Sequence, residues 1–97
     1  MSAIEELEEK YPEIIDMMSP KFNSHEFILK LAQQYQQLYI QALNMYPSSN
    51  QPFQTVHAQI AKKLKKRDDL VKHIRDKPSP NIFGLMNETA VWQKIEK

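Results

Sequence analysis

The chain has 97 residues, of which 41% are hydrophobic and 26% charged, so we expect one folded domain over residues 1–97 and no second core. The net charge of +1 hides an asymmetry, because residues 1–26 carry seven acids against two bases and residues 62–97 carry ten bases against five acids. The two ends can therefore attract each other within one fold or between copies. No cysteine is present, which excludes a disulfide framework, a thiol nucleophile and a thiolate metal site.

The first elements are predicted to be short helices within residues 2–18. Ser2 and Glu5 have the spacing of a capping box, which places a helix start at Ser2. Pro12 disfavours a helical Tyr11 and removes an amide donor, so the first helix should stop or kink near residue 10. Pro12 then suits the first turn of a second helix, which Pro20 closes.

The next segment predicts a long central helix over residues 23–46. Asn23 and Glu26 form a second capping box. Apolar residues then recur at alternating spacings of three and four. These residues are Ile28, Leu31, Tyr35, Leu38, Ala42 and Met45.

A further helix, or a pair of helices, is predicted over residues 52–76, and the apolar spacing leaves open which of the two is present. A loop over residues 77–87 follows, in which Gly84 should adopt a positive φ. A C-terminal helix is expected over residues 88–96, with Trp92 pointing inward. Because no stretch alternates with a period of two, the predicted fold class is all-α, a bundle of four to five helices around the central helix.

The sequence argues against an enzyme, a metal site and a cofactor site. His25, His57 and His73 lie at least 16 residues apart, whereas a helical zinc site needs two ligands on one face. A single glycine excludes a glycine-flanked nucleophile and a glycine-rich phosphate loop. There is no secretory signal and no run of eighteen apolar residues, so we expect a cytoplasmic protein without a membrane span.

The most informative feature is a stretch of 31 residues, from Leu31 to Ala61, that contains no charged side chain. Depletion of charge marks the core of an interface. Our leading hypothesis is therefore a non-enzymatic protein-interaction or adaptor module that contacts a protein partner or a second copy. The residues expected to make this contact are Gln33, Gln34, Gln37, Gln41, Phe83 and Trp92.

The alternative is a nucleic-acid-binding protein that resembles a helix-turn-helix over residues 62–75. Clustered cations can neutralise phosphates. The candidates are Lys62, Lys63, Lys65, Lys66, Arg67, Lys72 and Arg75. Against this alternative, the turn would contain no glycine, and Asp68 and Asp69 would begin the helix that faces an anionic duplex.

Overall fold

The computed structural model describes residues 2–95 and contains helices and an antiparallel sheet. The helices are α1 (Ala3–Glu9), α2 (Tyr11–Met17), α3 (Ser24–Gln34), α4 (Gln36–Asn44) and α5 (Pro52–Lys65), and the strands are β1 (Lys21–Asn23), β2 (Val71–Pro80) and β3 (Met86–Lys94). The all-α prediction is therefore wrong, and the fold is α+β.

Both predicted capping boxes are present. Ser2 and Glu5 exchange side-chain and backbone hydrogen bonds at the start of α1. At the start of α3, the Asn23 backbone N–H donates to the Glu26 carboxylate and the Glu26 backbone N–H donates to the Asn23 side-chain oxygen, both at 2.9 Å. Pro12 lies in the first turn of α2, as predicted. Local chemistry therefore determines where these helices begin.

The predicted central helix over residues 23–46 is wrong, because Tyr35 interrupts it with φ −129° and ψ 59°. A straight helix of that length would extend about 36 Å, too far for both of its halves to reach one small core. The break allows α3 to bury Phe27 and Leu31, while α4 buries Tyr39 and Ala42 against α1 and α5.

The largest correction concerns the C-terminal third of the chain. The helical prediction over residues 52–76 holds only to Lys65, since residues 71–80 form β2. The predicted loop over residues 77–87 is mostly strand, with the turn confined to residues 81–85. The predicted helix over residues 88–96 is β3 up to Lys94, and position 96 lies outside the described residues.

The sheet has the strand order β1-β3-β2 and is antiparallel throughout. Trp92 on β3 lies opposite Phe22 of β1 and His73 of β2, and Ile74 forms a bulge after His73. The β2–β3 hairpin replaces the helical contacts that local spacing favoured, and Phe22 and Trp92, which are 70 residues apart in the sequence, pair to join β1 to β3. Gly84 has φ +81°, as predicted, at the tip of the β2–β3 hairpin.

Candidate functional site

A groove of about 1060 Å³ lies between α5, the beginning of α3 and the β2–β3 hairpin. Residues on α5 recur at spacings of three and four, so they form one face of the helix along the groove. In chain order they are Phe53, His57, Ala58, Ala61, Lys62 and Lys65. The opposite face of α5 is buried in the core through Val56, Ile60 and Leu64.

The hairpin forms the other wall of the groove, and its tip is held in place by hydrogen bonds. The side-chain oxygen of Asn81 accepts the backbone N–H groups of Phe83 and Leu85, at 2.9 and 3.1 Å. The Asn81 backbone N–H donates to the carbonyl of Leu85 at 2.8 Å. Hydrogen bonds within the chain therefore hold the tip in its turn conformation.

Apolar side chains line the mouth of the groove but remain in contact with solvent. Phe83 is 56% exposed and Leu85 is 64% exposed. The Phe83 ring meets the Phe53 ring edge-on at a centroid distance of 5.1 Å and stacks on the His57 ring at 6.3 Å. Exposed apolar groups at a preformed concave site are typical of binding surfaces.

His57 is fixed on the α5 wall by a hydrogen bond with Tyr39, whose hydroxyl lies 2.6 Å from His57 Nε2. Burial raises the pKa of Tyr39 to about 12, so the hydroxyl keeps its proton and donates it to Nε2. Burial, and secondly the nearby imidazole of His25, lower the pKa of His57. The imidazole is therefore neutral, with its own proton on Nδ1.

All three histidines line this groove, although they are far apart in the sequence. His73 Nε2 lies 2.9 Å from a carboxylate oxygen of Asp76. His25 Nδ1 is buried and has no hydrogen-bond partner among the described residues. Within residues 2–95 there is no group of three or more potential ligands that could hold a metal ion.

Thr89 on β3 is the second buried polar group without a partner. It is 6% exposed and lines the groove, and its hydroxyl makes no hydrogen bond within the described part of the chain. Burying an unpaired hydroxyl costs about 1–3 kcal/mol. The Thr89 hydroxyl is therefore free, among the described residues, to form a hydrogen bond with a group that enters the groove.

The charges that line the groove are balanced. Lys62 and Lys65 line one wall and make no ion pair with any residue in 2–95, while Asp76 and Glu88 line the other wall. The groove therefore has both signs of charge beside its apolar mouth.

The cations predicted to bind nucleic acid do not form one surface. Lys62 and Lys65 line the groove, but Lys63 and Arg67 contact Glu8 of α1 at 3.3 and 3.7 Å. The remaining three cations are exposed and lie outside the groove. They are Lys66, Lys72 and Arg75.

The residues predicted to contact a partner are also divided. The four glutamines are exposed on α3 and α4, away from the groove; they are Gln33, Gln34, Gln37 and Gln41. Trp92 is 3% exposed and donates its indole N–H to the Ser24 hydroxyl at 2.8 Å, so it belongs to the core and forms the floor of the groove. Phe83 is the one member of the set that is exposed at the groove mouth.

Sequence reasoning missed most of the groove. His25, His57 and Thr89 come from three elements whose proximity depends on the β1–β3 pairing. The one local signal was the spacing of Phe53, His57 and Ala61, which repeats every four residues along one helix face.

No protein-family model, curated protein or solved structure gives a significant match to this chain. In the described residues, no helix has the length and apolar character needed to cross a membrane.

Proposed function

We propose that this chain is a non-enzymatic protein-interaction module that binds a segment of a partner protein in the groove between α5 and the hairpin. The observation that carries the proposal is the exposed apolar mouth, formed by Phe53, Phe83 and Leu85, on a groove whose hairpin wall is held by the hydrogen bonds of Asn81. Aromatic anchors beside a pocket supply most of the binding energy in protein interfaces.

The balance of charge favours a polypeptide over a polyanion. Two lysines and two carboxylates line the groove, whereas grooves that bind nucleic acid are lined mainly by positively charged side chains. A polypeptide combines apolar, polar and charged groups, and it can therefore match the apolar, polar and charged side chains that line the groove.

The hydroxyl groups along the groove support binding rather than nucleophilic catalysis. The Ser24 hydroxyl accepts the Trp92 indole N–H, and the Thr89 hydroxyl has no partner within the described residues. Neither hydroxyl is bonded to a histidine, and a hydroxyl nucleophile is normally activated by such a base.

A selection of random linear heptamer peptides against the immobilised protein tests the proposal. Selected peptides are synthesised, and their dissociation constants are measured by calorimetry with the wild type and with two matched variants. Phe83→Ser removes an exposed ring from the groove mouth, and Ile40→Ser removes an equally exposed apolar side chain from α4, outside the groove.

We expect Phe83→Ser to weaken binding at least about tenfold, a loss of about 1.4 kcal/mol, and Ile40→Ser to leave it unchanged. Equal effects of the two substitutions, or recovery of no binding peptide, would contradict the proposal. Loss of binding in Gln34→Glu and Gln37→Glu, with Phe83→Ser unaffected, would place the contact on the glutamine surface instead.

Nucleic-acid binding is the second candidate, and the last turn of α5 favours it. Lys62, Lys65 and Lys66 are unpaired within the described residues and lie just before a β hairpin. The helix-turn-helix predicted over residues 62–75 is wrong, since β2 begins at Val71.

Titration of a random-sequence duplex at 50 and 200 mM salt tests this candidate. Binding by three lysines would weaken by a factor of about 40 between these concentrations and be lost in a Lys62→Glu, Lys65→Glu, Lys66→Glu variant. Lys30→Glu on α3 is the matched control outside the groove. Absence of binding at 50 mM salt would rule the candidate out.

A further inference from the structure

We propose that the partner segment binds as an added β strand, along the edge of β3 at Met86–Ala90. This inference rests on the proposed function and states the form and chemistry of the partner. Its basis is the edge of a strand that the fold leaves unpaired inside the groove.

The edge arises because β1 is much shorter than β3. β1 pairs only with Val91–Gln93, and at Ser24 the Asn23 capping box turns the chain out of the sheet into α3. Met86–Ala90 pair with β2 on one side. On the other side, no described residue forms a hydrogen bond with the backbone of these five residues.

The unpaired edge faces the groove. Side chains of successive strand residues point to opposite faces of a sheet, so a groove that lies over one face meets every second residue. Here four consecutive residues, Asn87–Ala90, line the groove. The groove therefore reaches past the free edge of β3, where backbone N–H and C=O groups point outward, and it also extends over the face of the sheet, where His73, Asp76 and Trp92 line it.

The outer edge of the sheet differs, because it has the features that prevent strand addition. β2 contains Pro78 and Pro80, the exposed cations Lys72 and Lys77, and a bulge at Ile74. Prolines, lysines and bulges are the devices that protect free edges. Met86–Ala90 contains none of them, and its protection comes only from its position inside the groove.

The walls specify the partner segment. Five strand residues span about 17 Å, so the bound segment has about five extended residues. Its side chains on one side face α5, where Ala58 and Ala61 leave space and Phe53 offers an apolar contact. Lys62 and Lys65 are unpaired on the same wall and complement an acidic residue. The partner is therefore an extended peptide with an apolar side chain and with an acidic side chain on the side that faces Lys62 and Lys65 rather than Glu88.

A second copy of this chain is a poorer occupant than a separate peptide. The β3 edge lies inside the groove that α5 walls, so a second folded copy, which would bring its own α5, has less access to it than a single extended segment. The outer edge of β2 is blocked by its prolines.

Backbone methylation of the selected heptamer tests strand addition directly. N-methyl groups placed at successive residues remove one amide donor at a time without changing the side chains. An added strand directs alternate amides toward β3, so we expect about tenfold weaker binding at every second central position and less than about twofold change between them. Hydrogen exchange measured by mass spectrometry should show new protection of amides within 86–90.

Several outcomes would overturn strand addition while leaving the proposed function intact. Peptide binding that needs Phe83 but tolerates every N-methyl group is one, and the absence of new protection within 86–90 is another. Light scattering could also detect a dimer that the peptide dissociates. That result would identify a second copy of the chain, rather than a separate peptide, as the occupant of the edge. Binding of no peptide at all would instead be the failure of the proposed function.

Discussion

Replacing Thr89 with valine is expected to stabilise the protein, which is unusual for a buried position. Threonine and valine have nearly the same shape, so the substitution exchanges a hydroxyl for a methyl group without opening a cavity. Thr89 is 6% exposed, and its hydroxyl has no partner among the described residues. The wild type therefore loses hydration of this hydroxyl on folding without gaining a hydrogen bond.

The size of the effect follows from that loss. An unsatisfied buried hydroxyl costs about 1–3 kcal/mol, and Thr89→Val removes this cost. For a domain of this size, each 1 kcal/mol raises Tm by about 4–8 °C, so an increase of at least about 4 °C is expected. The gain is largest if the groove is dry, because water can otherwise satisfy the hydroxyl.

Urea unfolding followed by circular dichroism, together with thermal melting, measures the change. Thr55→Val is the matched control, since the Thr55 hydroxyl donates to the Gln51 carbonyl at 3.0 Å, and its loss should cost about 0.5–1.5 kcal/mol. If Thr89→Val lowers the free energy of unfolding as Thr55→Val does, the Thr89 hydroxyl has a partner and the reasoning is refuted.

Three further substitutions test other parts of the structure. Tyr11→Phe removes a buried hydrogen bond of 2.9 Å to the Ile60 carbonyl and should cost about 1 kcal/mol in urea unfolding, and no loss would mean that the bond is not formed. Burial and His25 lower the pKa of His57, so the unfolded chain binds the proton more tightly and stability should fall as the pH drops below about 6.5. Urea unfolding at pH 7 and pH 5 measures this fall in the free energy of unfolding, and His57→Gln should make it smaller. An unchanged fall would mean that other groups cause it. Gly84→Ala meets no steric contact but places a side chain at φ +81°, so thermal melting should report a loss of about 1–2 kcal/mol, and no loss would show that the turn relaxes.

The local features of the fold could be predicted from the sequence. Ser2 with Glu5 and Asn23 with Glu26 place two helix starts correctly, because a capping box depends on residues only three apart. Pro12 and Gly84 were also placed correctly, since each fixes a backbone conformation almost alone.

The sheet could not be predicted in the same way. Lys72, Arg75 and Lys77 are all exposed, so β2 lacks the alternation of apolar and polar residues that marks a half-buried strand. Asp68 and Lys72 have a spacing that favours a helix by only about 0.2–0.5 kcal/mol, and pairing with β3 outweighs it. The pairing of β1 with β3, and the bond from Trp92 to Ser24, join segments that are about 70 residues apart and leave no local pattern.

The candidate site could be predicted even less, because it depends on where β1 ends. The capping box at Asn23 is visible in the sequence as a helix start, but its second effect is visible only in the fold, where it ends β1 after three residues. A longer β1 would pair with all of β3 and close the edge at Met86–Ala90. The residues that begin α3 thus also leave β3 open, and this connects the most predictable local feature of the chain with the edge proposed to bind a partner strand.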